Sequence, residues 1–138
     1  MPIISKIRLD RLTNRSRGGM RADGALLLLC MKLVQEVPQA QQTGTSDLYA
    51  TAKDFLNNLQ MKDLLTLRVI QAGLLLSVYE LGHAIFPSAF MTVAYCARSA
   101  VALGLHNRLA PQLLGNPQTW ADWEERHRMW WMIVILDR

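Results

Sequence analysis

The chain has 138 residues, 51% of them hydrophobic, which is one domain's worth of material with enough apolar mass for a single core. Its longest apolar run, Met129 to Leu136, falls far short of the roughly 20 residues a membrane-spanning helix needs, and the charged start MPIISKIRLDRL has no apolar secretory segment. The two cysteines, Cys30 and Cys96, form no spacing pattern; they read as free buried thiols of a soluble intracellular protein.

The net charge of +4 is uneven. Residues 1–22 carry six basic side chains, Lys6, Arg8, Arg11, Arg15, Arg17 and Arg21, against Asp10 alone; the rest of the chain carries nine basic against ten acidic. With Asn14, Ser16, Gly18 and Gly19 among the charges and no sustained period, this stretch reads as a disordered basic leader on a nearly neutral helical domain spanning 23–138. Such an arm can bind nucleic acid weakly or serve as a localisation signal. A merely solvated arm is the commoner outcome, since no aromatic is interleaved to stack on bases.

Helix one is expected from Asp23, as its cap, through GALLLLCMKLVQEV to Val37, where Pro38 ends it. A polar loop around Gly44 follows. Thr45 or Ser46 caps helix two, DLYATAKDFLNNLQ, whose Leu48, Ala52, Phe55, Leu56 and Leu59 share one face. Helix three starts near Asp63, is apolar on nearly every side except at Arg68, Gln71 and Glu80, and stops at Gly82; such a helix is a buried one. Pro87 in the first turn, or Ser88 as cap, opens helix four, which is rich in alanine and ends near Gly104. Beyond a loop broken by Pro111, Gly115 and Pro117, Thr119 and Asp122 resemble a capping box for helix five, TWADWEERHRMWWMIVILDR. That helix reads as a core element with a charged entrance. The fold class is all-α, about five helices stacked as antiparallel hairpins.

Helices three to five resemble the middle homology region of fungal zinc-cluster transcription factors. The matching positions are Gln71-Ala72, Leu74 to Leu76 and Tyr79, then Ala97-Arg98 and Leu103-Gly104-Leu105-His106. They continue with Glu125-Arg126, Arg128, Trp130-Trp131 and Leu136-Asp137-Arg138, with His127 in the middle of the family's usual basic triplet. The resemblance covers about residues 46–138 and extends more weakly to helix one.

It implies a nuclear, non-catalytic, all-helical regulatory domain that takes part in transcription regulation. Its partners would be other proteins or the rest of a transcription factor, with a small-molecule effector also allowed and no membrane. In the family a six-cysteine binuclear zinc cluster reads DNA. Two cysteines cannot build one, so no cofactor is expected in this chain, and direct sequence-specific DNA reading by it is in doubt. The family region also continues beyond Leu-Asp-Arg, so this chain reads as a fragment, C-terminally truncated, with helix five partly uncovered and prone to association.

Other chemistries fare worse. Glu124-x-x-His127 has the spacing of a di-iron ligand pair, but no second such pair exists. His83, His106 and His127 could pair with a cysteine as nucleophile and base, yet both thiols lie in apolar helices. No catalytic or metal residue is assigned. Arg98, inside an apolar helix, is expected to be buried, with it or Arg126 paired to Glu124, Glu125 or Asp137. The tryptophans could line a small-molecule pocket, though core packing is their commoner use. The rival functions are a small helical enzyme, a metal-binding bundle, or a stand-alone interaction domain.

Overall fold

A computed structural model of the protein describes residues 21–36, 46–107, 109 and 117–138. Residues 1–20 of the basic leader, Pro38, the loop around Gly44, and Pro111 and Gly115 lie outside them. The described residues form five helices and no strand: α1 (Ala22–Val34), α2 (Asp47–Met61), α3 (Leu67–Gly82), α4 (Ser88–Ala102) and α5 (Trp120–Asp137).

Helix α3 packs against each of the other four. Its apolar residues on every side explain this, because they feed two separate cores. Val69, Ala72, Leu76 and Tyr79 join Leu26, Leu27, Cys30 and Leu33 of α1 and Ala52, Leu56 and Leu59 of α2. Ile70 and Leu74 join Cys96, Ala100 and Leu103 beside α4 and Met129 and Ile133 of α5. Each fully buried aliphatic side chain contributes roughly 1.5–3 kcal/mol over an exposed one. The α3–α4 crossing is close: a Cβ on Gly73 would stand 2.7 Å from Cys96 Sγ.

The helix ends correct several expectations. Asp23 is not the cap of α1. Arg21 holds that position with extended backbone, while Asp23 is buried in the first turn. There Asp23 Oδ1 accepts from Gly24 N at 2.8 Å, and Oδ2 accepts from Thr66 Oγ1 at 3.0 Å. Arg68 approaches Oδ1 at 4.0 Å. Thr66 is itself the cap of α3, accepting from Val69 N at 3.3 Å, so one hydroxyl starts a helix and ties it to α1.

Helix three therefore does not begin near Asp63. Asp63 sits at φ 54° just past α2, where Leu64 N bonds back to Leu59 O and Asp63 N to Gln60 O. This is a Schellman stop. The same two bonds close α3, Ile85 N to Glu80 O and Ala84 N to Leu81 O, around Ala84 at φ 53°. Gly82 is only the last helical residue. Ser88 does not cap α4 either: Pro87 occupies the cap without a side-chain bond, and Ser88 Oγ turns inward to Glu80. Ser46 caps α2, and Thr119 with Asp122 forms a capping box on α5, both as the sequence indicates.

Helix α5 is less buried than a core element. Only Glu125, Met129 and Ile133 are buried, a stripe repeating every four residues. Trp120, Trp131 and Ile135 expose half or more of their surface.

Candidate functional site

The final helix spreads two adjacent faces over different tasks. Glu125, Met129 and Ile133 enter the core, while Trp123, Arg126, His127, Trp130 and Trp131, at helical spacing, form one wall of a pocket of about 290 Å³. The facing wall is the turn after α4, Gly104 to Asn107, with Pro117 at the entrance to α5. That turn is again a Schellman motif: Leu105 N bonds to Ala100 O at 2.9 Å and Gly104 N to Val101 O at 3.0 Å. Gly104 lies at φ 80°, where a side chain would be strained. The Leu-Gly-Leu-His string is thus a helix stop that places His106 at the pocket.

Ring geometry gives the pocket its shape. The His106 and Trp130 rings lie 6.0 Å apart, tilted by 54°. The His127 and Trp131 rings also lie 6.0 Å apart, edge to face at 80°. Trp131 Nε1 donates to His127 Nε2 at 2.9 Å. An indole N–H can only donate, so His127 Nε2 is the acceptor of this bond. Trp130 also packs against the α3–α4–α5 core, so one side chain belongs to both pocket and core.

Among the positions singled out in the sequence, Gln71 and Glu125 meet. Gln71 Nε2 donates to Glu125 Oε1 at 2.7 Å, with both side chains buried. Gly104, His106, Arg126, Trp130 and Trp131 gather at the pocket. Arg128 pairs with Glu124 one turn back on α5. Asp137 and Arg138 are exposed at the end of that helix. Arg98 corrects the expectation made for it: it is exposed. The buried face of α4 runs through Ala89, Thr92, Val93, Cys96, Ser99 and Ala100, which leaves position 98 outward. A buried polar link from α5 goes to α3, through Gln71. Of the basic arm, Lys6, Arg8, Arg11, Arg15 and Arg17 lie outside the described residues; Arg21 is the exposed cap position of α1.

A second polar cluster had only a faint sequence signal. Glu80, fully buried, accepts at Oε1 from Tyr49 Oη at 2.7 Å, Lys53 Nζ at 2.8 Å and Ser88 Oγ at 2.8 Å. Lys53 also donates to Thr92 Oγ1 at 2.6 Å, so α2, α3 and α4 meet on this group. A lone Glu in an apolar helix was the available clue, and its partners lie 8 to 31 residues away.

Both thiols are free and buried, as the sequence indicates. Burial pushes both Cys30 and Cys96 up to about 12, which suppresses the thiolate. They lie in different cores, so they fit no shared metal cluster. Among the described residues no three His, Cys, Asp or Glu side chains converge, and no helix is long and apolar enough to cross a membrane.

A family model described as the fungal specific transcription factor domain matches residues 1–138. The chain is 59% identical over 128 residues to the transcription factor BOA15 of Botryotinia fuckeliana (strain B05.10), covering 93% of this chain and 72% of that protein. No solved structure matches.

Proposed function

The chain belongs to the fungal specific transcription factor domain family and is a regulatory middle region of a fungal transcription factor; from this premise we propose that it acts in the nucleus, through its packing rather than by catalysis. It sets how strongly the rest of a transcription factor, or a protein partner, drives transcription. DNA is read by a zinc cluster outside these residues, since two cysteines cannot form one. The basic side chains of residues 1–22 add at most a sequence-independent phosphate contact or a nuclear address.

One observation carries the mechanism: α5 bears the pocket wall on one face and the buried stripe Glu125–Met129–Ile133 on the next. Whatever occupies the pocket acts on the same rigid element that closes the α3–α4 core. A change at the pocket is thereby a change in how α5 sits, a packed element with two arrangements being the physical basis of such coupling.

The test is a reporter assay in fungal nuclei. The whole chain is placed between a heterologous DNA-binding module and an activating segment, and output is compared with the same fusion lacking the chain. Restrained output, altered by Trp130→Ala at the joint of pocket and core, is expected. Output unchanged by the chain would overturn the regulatory role proposed for it in isolation.

A further inference from the structure

The side of α4 opposite its buried face is apolar as well. Phe90, Met91, Ala94, Arg98 and Val101 are exposed there, and Phe86 extends the same side by one turn. Phe90 is 63% and Met91 68% exposed. Scattered exposed apolar side chains are ordinary, whereas a run of them along one face marks an interaction surface. Spacings of three and four residues keep these positions on one stripe. The rings of Phe86 and Phe90 stack with centroids 5.2 Å apart, so the stripe begins with an aromatic block.

The two halves of this stripe complement each other. Bulk stands in the first half, at Phe86, Phe90 and Met91, while the second half is small, at Ala97, Val101 and Ala102, apart from Arg98. Two such helices, antiparallel about a two-fold axis at Ala94, set the bulky half of each against the small half of the other. Phe86 then lies opposite Ala102, Met91 opposite Ala97, and Phe90 opposite Arg98. The paired Ala94 residues allow an approach at the close end of the roughly 8–10 Å usual between helix axes.

Charge points the same way. Helix α4 contains no Asp or Glu, and Arg98 is its one charged residue. In the antiparallel pair each guanidinium meets an aromatic ring of the other copy, a cation–π arrangement. The two Arg98 residues stand roughly 12 Å apart along the axis, eight residues at the helical rise and beyond the screening length in physiological salt. A parallel pair would instead set Arg98 against Arg98 and leave the small halves facing each other.

We propose that the exposed face of α4 is a self-association surface, on which a second copy of this chain docks antiparallel about Ala94. Large side chains half exposed offer roughly 100 Å² each, so the face totals on the order of 500 Å² per copy, short of the ~800 Å² per partner of a standard interface. The dimer is therefore weak, with a dissociation constant on the order of 10–100 μM. Its formation depends neither on the pocket nor on the regulatory role.

Sedimentation velocity of the full chain, from low to high micromolar concentration, reads the association. A reversible shift from monomer to dimer is expected, with no larger species, because a two-fold contact closes on itself. Ala94→Glu sets two carboxylates together on the axis and should weaken the dimer about tenfold or more. Phe90→Arg sets like charges opposite each other and should weaken it similarly. Adding Arg98→Phe to that variant re-forms the pair in reverse and should restore the dimer. All three positions are exposed, so the far-ultraviolet circular dichroism should not change. Ala94→Cys, treated with diamide, should link two chains, while Ala102→Cys should not, since roughly 24 Å separates the two copies of that position. The native Cys30 and Cys96 are buried and should not take part.

A chain that stayed monomeric at every concentration would overturn the proposal and leave the face to a different protein. Dimers indifferent to Ala94→Glu, a double variant no stronger than Phe90→Arg, or linking at position 102 as ready as at 94 would each overturn it too. The concentration dependence is read on the unmodified chain and needs no variant to fold.

Discussion

Glu80 Oε1 takes hydrogen bonds from Tyr49, Lys53 and Ser88, drawn from α2 and α4, at the end of a helix that is otherwise apolar. Burial raises the pKa of such a carboxyl, but here the bonds, led by those from Lys53 and Tyr49, outweigh burial and hold it below its ordinary value. A depressed folded-state pKa stabilises the fold above the ordinary carboxylate range, and the stabilisation is lost as pH falls through the folded value. Glu80→Gln removes the charge that pairs with Lys53. We expect a loss of about 1.5–3 kcal/mol at neutral pH, the usual worth of hydrogen bonds to a charged group. The gap between wild type and variant should shrink on acidification below the ordinary carboxylate range. Urea unfolding across pH checks this, and a gap that stayed constant or widened would refute it. The sequence marks Glu80 as a polar break in α3, but its partners cannot be read locally, because helix packing and not spacing along the chain brings Lys53 and Tyr49 to it.

Helix starts and stops show where local chemistry suffices. The capping box of α5 is a local device, Thr119 accepting from Asp122 N while the Asp122 side chain accepts from Thr119 N, each at 3.2 Å, and it is visible as residue types three apart. The ends of α2 and α3 are different, since the left-handed positions fall to Asp63 and Ala84 rather than to glycine. Gly82, two residues before Ala84, draws attention to the wrong place. Ala84 keeps its conformation because both Schellman bonds close there and Ile85 is held partly buried against the α1–α2–α3 core. An L-residue with a Cβ in this region costs roughly 1–2 kcal/mol. Ala84→Gly should relieve part of that, against the added chain entropy of glycine in the unfolded state. The expected net gain is about 0.5–1 kcal/mol, seen as a higher urea midpoint with an unchanged slope. A lowered midpoint would show that the left-handed turn is not what limits this end.

Across the whole molecule, the all-α class and the central burial of α3 are legible because α3 is apolar on every side, and only a helix with neighbours on every side is built that way. The pocket is half legible. The tryptophans, His106 and Gly104 stand out as positions, but which of them face open space depends on how α5 rotates over α4. The same rotation explains the misjudged Arg98. Alanine-rich α4 gives little pattern to tell its buried face from its exposed one, so an Arg in it looks buried when it is not. Gln71 and Glu125, 54 residues apart, instead supply the buried polar joint between α3 and α5. Met129 and Ile133 are the only other buried residues of α5, so this joint is a large part of what fixes the helix. Gln71→Leu removes the donor to Glu125 Oε1, a loss of about 1.5–3 kcal/mol. Because local opening follows the weakest-held element, amide hydrogen exchange should accelerate most in α5 and least in α1 and α2. Glu80→Gln should do the reverse, since its bonds join α2, α3 and α4 and none reaches α5. If both variants sped exchange uniformly over all five helices, the domain would open as one unit, and α5 could not move on its own in response to its pocket.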